Sequence, residues 1–510
     1  MALLSENAGI LPYYVYGKST NTPFQSNMQT PKVYAVSNDF SFNFGARVPS
    51  LSECEIISMP YVVAEKRTFY LDLGKLKKKE GYDTVLLLDA SIVSASIYLN
   101  GDVISHLKDL LMGALVRIDP YLSTSNHMFI SVEHTKSNRE EILHSVKTLY
   151  LKKSRITDIF PRTSITGQRV EILCDVRLES GDVKAALGGN LKVTLLDNDE
   201  RVVTSSTVPI SAFKRNYWKT VRAVLSVNEP HLWNIDDPYR YTIQVEFFSF
   251  DETLIDMKEI PYGIRQWRLS RYSPKIASSP ALLLNGQPVK IKGIVLRNQD
   301  EHLPSKLKKI GINAVRVINP YNQAFFEACD REGILVMCEV DFNVSYPKRS
   351  FFSHNKKEVD PLDIPFALIG EMILRLKNYA SVFCWSAGVR KLFGNTVLGE
   401  FIRSIDDTRA LNSQGDSNFS LSDFYSADDC ELSQLKSIES YSLFYEGNIL
   451  GIYHNPRIYR QYPFILCDVD ITQPTIGEKL QVFERNKRFL GLFLSVPGEE
   501  DPISALQEIL

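Results

Sequence analysis

At 510 residues the chain is too long for one hydrophobic core and suits about three domains. Apolar residues make up 44%, as in ordinary globular proteins, and a net charge of −2 gives no basis for a nucleic-acid or membrane-surface partner. No apolar run reaches the roughly 18 residues that a membrane-spanning helix needs, and the N-terminal residues lack the basic and apolar blocks of a signal peptide.

Residues 1–150 predict an all-β unit. The segment 67–72 alternates in polarity, 83–89 is an apolar run, and 96–99 leads into Asn100-Gly101, the strongest short signal for a hairpin turn. Residues 129–133 add a further strand, and short strands between turns predict a β-sandwich. Residues 151–265 predict a second sandwich, with period-two strands at 170–176, 191–196, 221–225 and 241–247. About 100 residues with some seven strands fit an immunoglobulin-like domain.

From 266 to 510 the pattern changes. Short apolar strands at 289–295, 314–318, 334–340, 382–386, 464–469 and 490–494 alternate with helical segments at 322–332, 365–376 and 477–488. With 410–450 supplying the remaining units, the length fits a (β/α)₈ TIM barrel. The seven cysteines (Cys54, Cys174, Cys329, Cys338, Cys384, Cys430, Cys467) are odd in number and form no C-x-x-C pair. They predict buried thiols in a reducing, cytoplasmic setting. His354 and His454 have no partner at metal-ligand spacing, and no phosphate-binding loop is present, so neither a metal nor another cofactor is expected.

Several motifs in order resemble glycoside hydrolase family 2, the family of β-galactosidases, β-glucuronidases and β-mannosidases. Leu99-Asn100-Gly101 is similar to a hairpin of its N-terminal jelly roll. The run 229–241, with Pro230, Leu232, Trp233, Pro238 and Tyr241, and then Tyr262-Gly263-Ile264-Arg265, resemble the connections of its immunoglobulin-like domain. Leu284-Asn285-Gly286, followed by Gly293, resembles the start of its barrel. Gly311 with Asn313 and Arg316, Cys329-Asp330 with Gly333, and Phe464-Ile465-Leu466-Cys467-Asp468 resemble its later strands. The resemblance implies a jelly roll, an immunoglobulin-like sandwich and a (β/α)₈ barrel, with the site at the C-terminal ends of the barrel strands.

At those ends the chain departs from the family pattern. The segment 381–391 is similar to the W-S-x-G-N-E strand end whose Glu is the general acid/base, but it reads Trp385-Ser386-Ala387-Gly388-Val389-Arg390. The nucleophile position is Asp468 instead of Glu. A family histidine is Ile318, a family tryptophan is Ser495, and positions where some members hold a metal are Asn343 and Ser345. A guanidinium keeps its proton at any working pH, so Arg390 is no general acid, a loss of about 10²–10⁴ in rate. The shorter Asp468 withdraws a carboxylate by about 1 Å, which costs roughly another 10²-fold.

These departures predict a family 2-like protein that is catalytically inactive or severely impaired, retained for carbohydrate binding or as a scaffold. One alternative is an active retaining glycosidase with relocated carboxylates, Glu339 and Asp468. Another is a structural or assembly protein without a sugar site. Each named residue carries a second reading. Asp468 is a nucleophile or a structural carboxylate, and Glu339 an acid or a hydrogen-bonded rim residue. Trp385 is a sugar platform or core. Arg316 binds ligand or ties strand ends, and Arg297 and Asn319 are candidate substrate contacts. The expected partner is carbohydrate, with a homo-oligomer or protein partner left open.

Overall fold

The structure, a computed structural model, describes residues 54–133, 141–167, 169–181, 187–214, 216–270, 280–341, 363–388, 395–414, 421–439, 462–486, 489–496 and 502–507, with short pieces at 10–11, 33–36, 416, 445–446 and 452–453. Its first part is an antiparallel sandwich built on one long strand, Tyr82–Leu99. The first half of that strand pairs with Ala114–Arg117 and Ile142–Lys152, and its second half with Asp102–Leu110 and Asn126–Val132. The strand thereby serves both layers. The predicted turn is present: Leu99 pairs with Asp102, and Asn100 and Gly101 take φ of 53° and 96°, as a tight hairpin of this type requires.

The second part packs a three-stranded sheet (Arg155–Thr166, Arg169–Ser180, Tyr217–Asn228) against a four-stranded one (Val202–Phe213, Leu187–Leu196, Tyr241–Ser249, Leu254–Tyr262). Alternate residues such as Ile172, Cys174, Val176, Val193 and Val245 meet between the sheets, as the period-two pattern predicts.

The third part is a parallel barrel. Its strands are β1 (Ile291–Leu296), β2 (Ala314–Ile318), β3 (Leu335–Glu339), β4 (Val382–Ser386), β5 (Ala410–Asn412), β6 (Tyr425–Ala427), β7 (Phe464–Asp470) and β8 (Phe489–Ser495). They run in the order β5-β4-β3-β2-β1-β8-β7-β6. The remaining seam, between β5 and β6, is bridged by side chains: Asn412 Nδ2 donates to Ser426 Oγ (2.8 Å), and Ser426 Oγ donates back to Asn412 Oδ1 (3.2 Å). Helices α1 (Leu303–Lys309), α2 (Gln323–Glu332), α3 (Asp363–Leu376), α4 (Asn395–Ile405), α5 (Leu432–Glu439), α6 (Ile476–Arg485) and α7 (Pro502–Gln507) accompany it. Apolar side chains such as Phe383, Cys384, Ile465 and Phe493 form one buried layer, and Val382, Trp385 and Leu411 form another with helix residues Leu368, Ile369 and Ile402.

The motifs quoted above are mostly joints of this scaffold. Asn285 accepts from Gln266 N and donates to Trp233 O, both at 2.9 Å. Asn313 accepts from Lys292 N and donates to Lys290 O, holding β1 beside β2. Asp330, buried at the end of α2, accepts from Ala380 N and Ser381 N and so fixes the start of β4. Gly333 ends α2 at φ 72°, where a Cβ would stand 2.2 Å from Ile235 O.

The first sandwich docks on α3. Leu111 N and Met112 N donate to Glu371, and Arg375 donates to Met112 O and Gly113 O. Beside this joint is a cleft of about 520 Å³, lined among others by Asp89, His144, Lys147, Tyr321 and Arg375. The His144 ring stacks on Tyr321 with centroids 4.8 Å apart, and burial lowers its pKa to about 4. Burial also raises Asp89 to about 6, against the opposing pull of Arg375 and Lys147.

An Asp89 carboxyl that resists ionisation when folded, yet ionises readily when unfolded, penalises the native state at neutral pH. Asp89→Asn is therefore expected to stabilise the protein by roughly 2–3 kcal/mol at pH 7. The gain should fade as pH falls from about 6 through about 4, as the wild-type carboxyl takes up its proton first in the folded and then in the unfolded state. Denaturant titrations at both ends of that window check this; an equal gain at both would reject the assignment.

Candidate active site at the barrel mouth

The parallel register sets the C-terminal ends of the strands side by side: Ile318 pairs with Glu339, and Glu339 with Ser386. Arg316, one pleat below on β2 and only 4% exposed, reaches across to Glu339, which is 5% exposed. Its Nε donates to Glu339 Oε2 (3.0 Å) and its Nη2 to Glu339 Oε1 (2.6 Å). Nη1 donates to Cys467 O on β7 (2.7 Å), and Nη2 is also 3.4 Å from Gln414 Oε1. Burial alone would favour the neutral form of Arg316, but Glu339, with Cys467 and Asp468 adding to it, holds the pKa well up. Ser386 Oγ donates to the same Glu339 Oε2 at 2.7 Å.

Gly388 completes this corner. Its φ of 64° suits glycine, and a Cβ there would lie 2.7 Å from Val340 O and 3.2 Å from Glu339 Cγ. The chain thus turns away from β4 in close contact with the ion pair. Both Glu339 oxygens are engaged, so this carboxyl ties β2, β3 and β4 together.

Asp468 has a different setting. The pairing of β7 with β8 shifts register between Leu466 and Val469, and Cys467 N and Asp468 N both donate to Asp428 O (3.1 and 2.9 Å). This bulge buries Cys467, whose thiol burial pushes up to about 12, and leaves Asp468 exposed. Asp428, just past β6, thus holds this bulge through its backbone carbonyl.

The loops after β1 and β2 form a polar knot. Gln299 Nε2 donates to Asn319 O (3.1 Å), and Gln299 Oε1 accepts from Tyr321 N (2.8 Å) and Asn322 N (3.0 Å). Asn319, at φ 54°, donates its N–H to Glu339 O (2.8 Å) and accepts from Asp341 N (2.9 Å). Arg297, with its side chain 64% exposed, stands 3.9 Å from Asp341.

The expected site residues thus fall into groups. Glu339, Arg316 and Asn319 come together, and Asp468 lies close enough to Arg316 to act on its charge. Arg297 lies on the open rim. Trp385 requires a correction as a sugar platform: it has no exposed surface, packs in the layer shared with the helices, and donates its indole N–H to Asp406 (2.9 Å). The two-residue pleat turns it outward, so its ring has no face toward the mouth. Arg390, Val389, Asn343, Ser345, His354 and His454 lie outside the described residues. Among the described residues no group of three or more metal-ligating side chains converges, and no helix is long and apolar enough to cross a membrane.

Sequence reasoning missed Gln299, Gln414, Asp428 and the Asn412–Ser426 bridge. For Gln414 and Asp428 the stretch 410–450 carried no pattern. Gln299 sat in plain view two residues past Arg297, but a lone amide in a loop carries no signal of the three hydrogen bonds it makes.

A family model for the TIM barrel domain of glycosyl hydrolases family 2 matches residues 281–493, and one described as glycosyl hydrolases family 2 matches residues 154–265. A glycosyl hydrolase family 2 member from Bacteroides cellulosilyticus is similar with a TM-score of 0.75 at 17% identity, over 92% of this chain and 64% of that one. Bacteroides uniformis β-glucuronidase 2, covalently bound to cyclophellitol-6-carboxylate aziridine, is similar with a TM-score of 0.73 at 16% identity, over 92% and 64%. β-D-Glucuronidase of Dictyoglomus thermophilum gives 0.66 at 16%, over 94% and 91%. The chain spans less than two thirds of the first two of these proteins. At such identities the structural likeness speaks for the fold, while the two family models together cover more than half of the sequence. Sandwiches, barrel and matched segments agree, and the chain belongs to glycosyl hydrolase family 2.

Proposed function

We propose that this family 2 protein hydrolyses glycosides poorly or not at all, and that it is retained for carbohydrate binding or as a scaffold. One observation carries the reading: both oxygens of Glu339 are taken by Arg316 and Ser386, while the chain reads Val389-Arg390 after Gly388. Retention of configuration needs two carboxyl groups about 5–5.5 Å apart, one of them carrying a proton for the leaving oxygen. Asp468 is available as the first. Glu339, the substitute that the alternative of relocated carboxylates needs, is spent on the strand ends, and Arg390 does not release its proton at any working pH.

The buried Trp385 weighs against a sugar platform at that position and toward a scaffold, acting through a protein partner or a second copy of the chain. Cys174, Cys329, Cys338, Cys384 and Cys467 are buried free thiols, which fits a cytoplasmic protein.

The aziridine that occupies the Bacteroides uniformis enzyme offers a direct test. Incubated with cyclophellitol-6-carboxylate aziridine, this protein is expected to show no adduct by intact mass. Nitrophenyl β-glucuronide and β-galactoside are expected to turn over at least about 10⁴-fold below an ordinary enzyme. A stoichiometric adduct, or brisk turnover, that vanishes in Asp468→Ala would overturn the proposal.

A further inference from the structure

We propose that the cleft between the second sandwich and the N-terminal end of the barrel binds a small oxyanion of the phosphate or phosphomonoester class. The cleft encloses about 320 Å³, at the lower edge of the ~300–1,000 Å³ of small-ligand sites. Its walls are the strand Arg155–Thr166, the exit from the sandwich around Tyr262 and Trp267, and the segments that lead into β4 and β5. It lies at the opposite end of the barrel strands from the mouth.

Four cations line it, Arg162, Arg265, Lys377 and Arg409, against one lining carboxylate, Asp407, whose side chain is 64% exposed. Three of the cations have acidic partners. Lys377 pairs with Asp158, Arg409 with Asp406, and Arg162 with Asp175, which it shares with Arg222. Arg265 has none. It is 9% exposed, and its Nε and Nη2 donate to the backbone carbonyls of Ala380, Tyr379 and Val382. Its Nη1 has no protein partner among the described residues.

Burial, with Arg409 beside it, lowers the Arg265 pKa to about 9; Asp330 and Asp406 oppose this through space without touching it. A buried guanidinium so incompletely compensated is stabilised by any anion that reaches it. The same wall has other groups to spare. Among the described residues, Arg162 Nε and Trp267 Nε1 are donors without partners and Asn378 Oδ1 an acceptor without one, each lying just beneath the cleft surface. Four lining cations against one lining carboxylate match an oxyanion.

Calorimetric titration tests the site with two probes, inorganic phosphate and glucose 6-phosphate, each in chloride buffer of matched ionic strength. Saturable binding with Kd below about 1 mM is expected for at least one of them. Arg162→Gln should weaken binding about tenfold through loss of a charge-assisted hydrogen bond. Asp407→Asn should tighten it by a few fold by removing the lining carboxylate. Both positions are partly exposed and leave the carbonyl contacts of Arg265 in place, so the variants are expected to fold. Tighter binding of the ester would mark its organic part as held too, and equal binding would mark the anion alone; either supports the proposal. No saturable heat from either probe, or wild-type binding in both variants, would refute it.

Discussion

Glu339→Gln is expected to cost about 3–5 kcal/mol of folding stability, as removal of one member of a buried ion pair does. The amide keeps the shape of the side chain but not its charge. Arg316, 4% exposed, would then be held by Cys467 O, Gln414 and a neutral amide. An amide has one acceptor oxygen where the carboxylate offered two, so an N–H of Arg316 or the Ser386 hydroxyl must also go unpaired. Denaturant unfolding measures the loss. Paired with Arg316→Met, the double variant should lose much less than the sum of the two single losses, because no charge is then left stranded. The same variants discriminate between functions. If Glu339 were a relocated general acid, Glu339→Gln would abolish turnover and leave stability nearly intact.

Gly491→Ala is the second large effect expected. Gly491 lies in β8 opposite Ile291 of β1, at φ 148°, and a Cβ there would stand 1.8 Å from Ile291 O. No rotamer relieves a clash between two backbones, so β1 and β8 must separate. The adjoining Gly293 already packs its α-carbon under the Phe493 ring, where a Cβ would come within 2.4 Å. Opening this seam exposes the layer that holds Phe493 and Ile465, and a loss above about 4 kcal/mol, with little soluble protein, is expected. Gly286→Ala is the control. It shares the positive φ (83°) but has nothing within 4 Å, so it should cost only about 1 kcal/mol. Equal behaviour of the two variants in expression and thermal melts would show that backbone strain, not close approach, governs position 491.

Much of the architecture was readable from the chain. Alternation in 170–176 and 241–247 places every second side chain between two sheets, and the Asn100-Gly101 turn takes the positive φ values that these residue types permit. The strands at 314–318 and 382–386 occur as predicted, because an apolar run of five between helices has few other solutions. β5 and β6 were not readable. They have three residues each and complete the barrel through the Asn412 and Ser426 side chains, a contact between residues 14 apart that leaves no periodic trace.

The resemblance was legible for a physical reason. Arg265, Asn285, Asn313, Asp330 and Gly333 each satisfy backbone groups or permit close approach at joints between elements, and such positions tolerate few substitutes. Asp468 is exposed at the rim, where a change of side chain leaves the fold intact. Trp385 misled for a related reason: its neighbours in the sequence face the mouth, but the pleat sends its own ring the other way.

By itself, the amino-acid sequence determined the three β and β/α parts, the family, and that Val389-Arg390 follow Gly388, because period, turn chemistry and residue type are local properties. Tertiary structure alone decided that Glu339 is consumed by Arg316 and Ser386, that a bulge brings Asp468 to the surface beside Asp428, and that Arg265, held by backbone carbonyls, lines a cleft. These are matters of which charges meet after the chain has closed on itself, and burial sets their strength; neither quantity exists until distant strands lie side by side.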